Sequence, residues 1–515
     1  MVLMKLSRLS KISLLLASFF LLDKLLAIVR QILIARQFGL SAELDAFNVA
    51  NNVPDLLFAL ISGGALAMAF IPVLSEVLTK EGRDSAWVLF SHIANLAFVV
   101  TAGLALLVAL FAGPMVRAEI GIAPGFSAAQ QDLVIRLMRL NLIATIIFSI
   151  SGLVMAGLQA NQHFFLPALA PIFYNLGQIF GVLILSPEKG YTLGPITLPA
   201  FHLGVSGLVY GVIIGAALHL SIQVPGLVKF HFHWTPGLAL REENVRKVLR
   251  LMGPRLLTMF FIQLTFLIRD NLASRLAAGA VTSLTYGYML IQVPETLIGT
   301  AIGTALLPTL SENFARKEQE LFTGTIERAV QVLTAVTLPI AAVMAIGMRP
   351  LLALAFNFGD AGTVLLAGVT AAFAAGLLGQ CLKEVGVRAF MARQNALIPL
   401  LTAGINVVLY IGIGTLLYRP LGAAGIALTD SLVFTLEALL LFLLLGRRME
   451  RPLQLGSRFW RPLAALTTAA GVTWLTQTWL SARTSLWVAG TLPLLLGLAA
   501  ALPWIWKEMR TLAQL

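Results

Sequence analysis

Apolar runs of about 18 to 25 residues recur along nearly the whole chain, the length needed to cross a bilayer's hydrocarbon core as a helix. In lipid the backbone must satisfy its own hydrogen bonds, so runs of this kind fold as spanning helices. The composition agrees: 58% of the 515 residues are hydrophobic and 12% charged, with mean hydropathy +0.88. Soluble domains sit near half apolar and a quarter charged. No interval is long or polar enough for a separate soluble domain. The chain therefore reads as an all-α polytopic membrane protein. Fourteen spans fit, at 11–38, 44–71, 86–113, 130–158, 166–186, 200–226, 247–276, 280–308, 325–346, 362–390, 396–417, 421–446, 459–480 and 485–506. Pro54, Pro171 and Pro294 fall inside spans and mark kinks.

The N-terminal MVLMKLSRLSKISLLLASFF is basic and then apolar, like a signal peptide. Its apolar run continues to Arg36 with no small-residue cleavage site, so it reads as a retained first span. Basic loop residues divide unequally. Lys5, Arg8, Lys11, Lys80, Arg83, Lys229, Arg241, Arg246, Lys247, Arg250, Arg316, Lys317, Arg393, Arg447, Arg448, Arg451, Lys507 and Arg510 fall on one side. Arg117, Lys189, Arg349, Arg419 and Arg483 fall on the other. A bias of about 18 to 5 places both termini and the central loop in the cytoplasm, which requires an even number of spans. The same rule accounts for the net charge of +12 without nucleic acid as a partner.

The central LREENVRKVLRLM has apolar residues at helical spacing beside a basic face, as a surface-lying or solvated linker helix would. It separates halves that repeat. Pro72-Val73-Leu74-Ser75-Glu76 is echoed by Pro308-Thr309-Leu310-Ser311-Glu312, Arg30 and Arg36 by Arg269 and Arg275, and Pro54-Asp55 by Pro294-Glu295. Gln162 precedes Pro167 by five residues as Gln394 precedes Pro399, with Asn175 and Asn406 following. Leu203-Gly204-Val205-Ser206-Gly207 matches Leu421-Gly422-Ala423-Ala424-Gly425. Five matches in one order predict a six-helix lobe at 1–230, a cytoplasmic amphipathic linker at 231–250, a second six-helix lobe at 251–450, and two extra helices at 451–515. With six spans per lobe the repeat is parallel, about an axis along the membrane normal. Such proteins hold a substrate between the lobes and expose it to each side in turn.

No phosphate loop, H-E-x-x-H or Cys-x-x-Cys pair occurs, and the single cysteine, Cys381, excludes an internal disulfide. The chain is read as a non-enzyme with no cofactor and no metal, and no ring of acidic or carbonyl-rich loops suggests a channel filter. His219 reads as a buried hydrogen-bonding residue. What remains is charge at membrane depth, which costs at least about 2.5–3.5 kcal/mol per residue on insertion scales and is normally retained for a pathway or site. The first span carries Asp23 and Arg30 on one face, with Lys24 about a third of a turn away and Arg36 near its end. The second opens with Asp45, Asn48, Asn51, Asn52 and Asp55. The seventh carries Arg255, Gln263, Arg269, Asp270 and Asn271. These charges either line a cavity for an anionic substrate or neutralise one another, Asp23 with Lys24 or Arg30 and Asp270 with Arg269, as ion pairs that hold a gate closed. For Arg36, Arg255 and Arg275 a snorkelling position at a span end is favoured.

The segments VRQILIARQFGLSAELDAFNVANNVPDLLFALISGGALAMAFIPVLSE and ASRLAAGAVTSLTYGYMLIQVPETLIGTAIGTALLPTLSE resemble the MurJ/MviN family, lipid II flippases of the multidrug/oligosaccharidyl-lipid/polysaccharide exporter superfamily. The resemblance extends over essentially the whole chain. It implies a protein of the bacterial cytoplasmic membrane that moves an undecaprenyl-pyrophosphate-linked peptidoglycan precursor from the inner to the outer leaflet. Membrane lipids, a coupling cation and cell-wall synthesis proteins are the further partners it raises. Carried over by position, Lys24 and Arg30 fall on basic cavity positions and Asp45 on an acidic one. Phe58 and Met289 stand where relatives are basic, and Tyr410 where some are acidic in a cation site. On this reading Lys24, Arg30 and Arg269 attract the pyrophosphate, while Asp23, Asp45 and Asp270 pair with those cations between cargo-bound states. Export of another polyprenyl-linked oligosaccharide, or a scaffolding role in cell-wall synthesis, stays open.

Overall fold

The computed structural model describes residues 8–61, 64–449, 451, 453, 460–481 and 483–512. Lys5 and the side chains of Arg8, Lys11 and Arg255 lie outside them. The chain divides into two compact units, 1–267 and 268–515, with the boundary inside a helix.

The first unit holds α1 (Arg8–Phe38), α2 (Ala42–Ile61), α3 (Gly64–Lys80), α4 (Arg83–Arg117), α5 (Ala128–Ala160), α6 (Phe165–Phe180), α7 (Val205–Ser221), α8 (Val224–Lys229) and most of α9 (Glu243–Ala273). The second holds the end of α9, then α10 (Ala280–Pro294), α11 (Ala301–Ala315), α12 (Gln319–Gly347), α13 (Arg349–Phe356), α14 (Gly359–Ala374), α15 (Leu377–Ala392), α16 (Leu397–Gly446), α17 (Trp460–Ser481) and α18 (Leu486–Leu512). A two-residue antiparallel ladder, Thr192–Leu193 with Ile196–Thr197, is the only strand pairing among the described residues.

The fold is all-helical, as the apolar runs require. Ten helical stretches among the described residues are long and apolar enough to cross a membrane. Fourteen spans is a finer statement than length and composition provide. The expected span 44–71 falls on α2 and α3, with residues 62 and 63 outside the described ones, and Pro72–Glu76 lies inside α3. Two other expected spans each form one membrane-length stretch with a break in the α-helical ladder. Where 280–308 reads as one span, Pro294 ends α10 and a π-helical turn, Glu295–Thr300, precedes α11. Proline lacks the N–H that would continue an α-helical ladder, and a wider turn accommodates the loss. The expected span 362–390 is two helices, α14 and α15.

The core of the first unit is aromatic. Trp87, Phe70 and Phe90 are fully buried, and Trp87 and Phe90 each meet Phe232 edge-to-face at 5.3 Å. Phe232 belongs to the segment after α8, which is tied along one face of α4. Trp87 Nε1 donates to the Phe230 carbonyl (3.0 Å), Ser91 Oγ to that of His233 (3.4 Å), and Asn95 Nδ2 to those of Thr235 and Gly237 (2.9 Å each). Positions 87, 91 and 95 are successive turns of one helix face, so each turn of α4 holds the strap once. The start of α9 follows suit. Val245 and Val248 are fully buried in this core while Arg246, Lys247 and Arg250 are exposed. These two valines of the linker's apolar face thus pack on protein. Lys247 Nζ closes the arrangement 2.5 Å from Glu76 Oε2, with Lys80 on the other oxygen at 2.8 Å. Hydrogen bonds from Lys247 and Lys80 bring the Glu76 carboxyl down to about 2, so this contact opens only as pH falls toward that value.

The internal repeat is written in the backbone as well as in the sequence. Gly204, at the start of α7, has φ 53°, ψ −139°; Gly422, which breaks α16 in two, has φ 58°, ψ −141°. Gln162 and Gln394 share a left-handed conformation, φ 58° and 57°. A Cβ at Gly204 or Gly422 meets nothing within 4 Å, so its cost there is conformational alone. Gly204→Ala and Gly422→Ala should each destabilise by about 1–3 kcal/mol. Gly412→Ala, in a helical and uncrowded position, should be neutral or stabilising by up to about 1 kcal/mol. Thermal unfolding of the detergent-solubilised protein measures all three; equal, small shifts would show that the turn conformation is not required.

Candidate substrate-binding site

Helix α1 carries its charges against α6. Asp23 and Arg30, two turns apart, face the same residue. Asn175 Nδ2 donates to Asp23 Oδ1 (2.8 Å), and Asn175 Oδ1 accepts from Arg30 Nη1 (2.8 Å). The amide thus stands between the acid and the guanidinium, and among the described residues the two make no direct ion pair. Asn175 is itself buried, and Nδ2 also reaches the Pro171 carbonyl at 3.2 Å. Helix α6 is seated by the absence of side chains. A Cβ on Gly177 would lie 2.4 Å from Gly215 Cα, and one on Gly181 2.7 Å from Gly211 Cα, the close approach that small residues permit between membrane helices.

Arg30 is half-buried, and its Nε is a buried donor with no hydrogen-bond partner among the described residues. Lys24 is exposed one residue beyond Asp23, and Arg36 is exposed at the end of α1. Asp45 is only 1% exposed, in the first turn of α2, where Ser41 Oγ accepts from Leu44 N at 3.2 Å. Asn51 accepts from Asn141 Nδ2 at 2.7 Å. The structure therefore brings Asp23 and Arg30 together through Asn175, and leaves Lys24 open.

Phe58, where a relative's basic residue is expected, lies edge-to-face on Phe148 (5.4 Å), which in turn meets Tyr174 (5.0 Å) and His219 (5.4 Å). An aromatic column fills the place, and Tyr174 is the neighbour of Asn175. His219 is buried, with Ser151 Oγ 2.6 Å from Nδ1, a satisfied core histidine.

In the second unit Arg269 is 6% exposed and Asp270 1%. The Arg269 guanidinium lies 5.6 Å from the centroid of the Tyr288 ring, a cation–π contact beside half-buried Met289. Tyr410, where the resemblance raised an acid, donates from its hydroxyl to Asp430 Oδ2 at 2.9 Å, and Asp430 lies in the electrostatic reach of Arg269. One helical repeat further, Glu437 accepts from Thr402 and Asn406. Asn406, the counterpart of Asn175, thus also binds a carboxylate. The sequence reading missed Asp430 and Glu437. Two acids seven apart in an apolar span were the signal, the same one that singled out the first helix.

Residues 34–497 match the family described as lipid II flippase MurJ. The lipid II flippase MurJ of Burkholderia cenocepacia is 31% identical over 442 residues, covering 84% of this chain and 83% of that one. The probable lipid II flippase MurJ of Haemophilus influenzae is 28% identical over 450 residues, covering 82% and 83%. A solved lipid II flippase MurJ in an inward closed conformation shares the fold with a TM-score of 0.79 at 20% identity, covering 97% of this chain and 100% of that one. An inward-facing multidrug resistance MATE family transporter of the MOP superfamily gives 0.66 at 15%, covering 83% and 94%. The family match takes in nearly all of both units, and the chain belongs to the lipid II flippase MurJ family.

Proposed function

We propose that this chain is a lipid II flippase. It carries the undecaprenyl-pyrophosphate-linked peptidoglycan precursor from the inner to the outer leaflet of the bacterial cytoplasmic membrane by alternating access. Family membership supports the cargo. The observation that carries the mechanism is Arg30: a guanidinium on a membrane helix, fixed by Asn175 and still holding a donor that nothing in the described protein takes. A planar guanidinium suits phosphoryl oxygens, and a donor fixed in advance loses little entropy on binding. Exposed Lys24 supplies a mobile positive charge to the same anion. Asp23 and Asp45 balance the first unit's cations when no cargo is bound, and in the second unit Asp270 does so for Arg269, both of them buried.

Fourteen spans with both termini in the cytoplasm fit the basic-residue bias. The role is transport and not catalysis. With no nucleotide motif in the sequence, the driving force is an ion gradient, the membrane potential or consumption of the product outside. A unit charge crossing the full potential supplies about 2.3 kcal/mol per 100 mV. Cell-wall synthesis proteins are the natural consumers of the product.

In a strain depleted of its own lipid II flippase, the wild-type chain should restore growth. Arg30→Ala should remove a charged hydrogen bond of about 1.5–3 kcal/mol, roughly 10- to 100-fold in affinity, and fail to rescue. Lys24→Ala, exposed and unrestrained, should weaken rescue less. Undiminished rescue by a chain with both residues neutralised would contradict the mechanism. A well-inserted wild type that cannot rescue would contradict the cargo.

A further inference from the structure

The second unit holds a set of charges that the transport role above leaves unused. Lys383, Glu384 and Arg388 stand on α15, inside the apolar stretch Gly359–Ala392, which is long enough to cross a membrane. Glu295 opens the π-helical turn that meets α15. All four are half-buried. Ionisable side chains in such a stretch are costly and are normally kept for a site. Two glycines bring the turn and the helix together. A Cβ on Gly299 would lie 2.9 Å from Cys381 Sγ, and one on Gly303 3.5 Å from Glu384 Cβ. Glu295 thereby comes within the electrostatic reach of Lys383 and Glu384.

The set does not close on itself. Its two bases and two acids form one long pair, Arg388 Nη2 with Glu384 Oε2 at 3.4 Å. Among the described residues no carboxylate pairs with Lys383. Its Nζ rests 4.4 Å from the centroid of the Phe434 ring, a contact that attracts the cation and leaves its N–H donors untaken. Glu437, a further carboxylate within its reach, is bonded to Thr402 and Asn406. No Lys or Arg among the described residues pairs with Glu295 either. Hydroxyls serve it, Thr300 Oγ1 donating to Oε1 at 2.9 Å and Thr296 Oγ1 to Oε2 at 3.3 Å. With Glu384 and Arg388 neutralising each other, a cation and an anion are left that feel one another and do not touch. A purely anionic ligand would meet repulsion from Glu295. A ligand that carries both a carboxylate and an amine satisfies the two together.

We propose that Lys383 and Glu295 recognise the peptide part of the cargo, Lys383 taking a carboxylate and Glu295 an amine. The assignment rests on the flippase reading. The peptide of a peptidoglycan precursor ends in a carboxylate and carries the free amine through which the polymer is cross-linked. The second unit thus reads the peptide, and the pyrophosphate remains with Arg30 of the first.

Binding of three probes to the purified full chain in lipid nanodiscs tests this: lipid II, the same glycolipid without its peptide, and lipid II with its peptide carboxylates amidated. The wild type should bind lipid II about 10- to 100-fold more tightly than the peptide-free glycolipid, and the amidated form should lose most of that preference. Lys383→Met should bind lipid II no better than the peptide-free probe, with its affinity for the latter unchanged. Methionine is apolar and unbranched, so the helix should persist; Lys383→Arg should keep the preference. Glu295→Gln, which retains an acceptor for Thr300, should reduce the preference independently, whereas Arg30→Ala should weaken all three probes alike. A preference undiminished in Lys383→Met, or equal losses on lipid II and the peptide-free probe, would overturn the proposal. A wild type that binds both of these probes equally would overturn the peptide assignment and leave the cargo standing. A wild type that binds none of the three would contradict both.

Discussion

A guanidinium half-buried on a long apolar helix needs a partner inside the protein, and Arg30 finds one in the amide of Asn175. An amide can accept from a cation and donate to an anion at once, so Asn175 holds Arg30 and Asp23 on one face without letting them neutralise each other directly. A direct ion pair would spend the guanidinium on the protein. On the proposed role, the amide leaves it available for the anionic cargo. To stand there, Asn175 must sit deep on α6, and α6 can lie so close to α7 only because glycines meet glycines across the contact. The sequence of small residues thus bears on the charge of the site through the depth of one helix.

The second unit uses the same device differently. Asn406, which follows the same Gln–Pro pattern as Asn175, donates to Glu437, and the turn glycines Gly204 and Gly422 adopt nearly the same φ and ψ. Equivalent asparagines thus serve a cation with its acid in one unit and an acid with neutral donors in the other. The two units place their asparagines alike and hold different groups with them. Arg269 illustrates the difference: its counterpart Arg30 is half-buried beside an amide, whereas Arg269 is buried against Tyr288.

Much of this was legible in the sequence, because bilayer physics leaves few choices. Long apolar runs had to be helices, and Asp23, Lys24 and Arg30 stood out against them. The repeat was visible as five short matches, two of which mark turns with positive φ. What the sequence did not disclose was partnership. Asn175 appeared only as a recurring residue, since nothing in a linear pattern says which helix face it meets. Phe58 looked like a lost charge; in three dimensions it belongs to an aromatic column with Phe148, Tyr174 and His219. The linker's amphipathic pattern was read against the membrane surface or solvent, while Val245 and Val248 pack on the aromatic core. Periodicity identifies an apolar face and leaves its partner undetermined.

On the proposed role of Arg30, Asn175 acts on the cargo through that arginine. A double-mutant cycle on the affinity of the purified protein for an undecaprenyl-pyrophosphate glycolipid addresses it most directly. Asn175→Ala should weaken binding in the wild-type background and have little further effect once Arg30→Ala is present, a coupling on the order of 1 kcal/mol or more. Additive losses from the two substitutions would show that the asparagine and the arginine act independently, and would contradict the account.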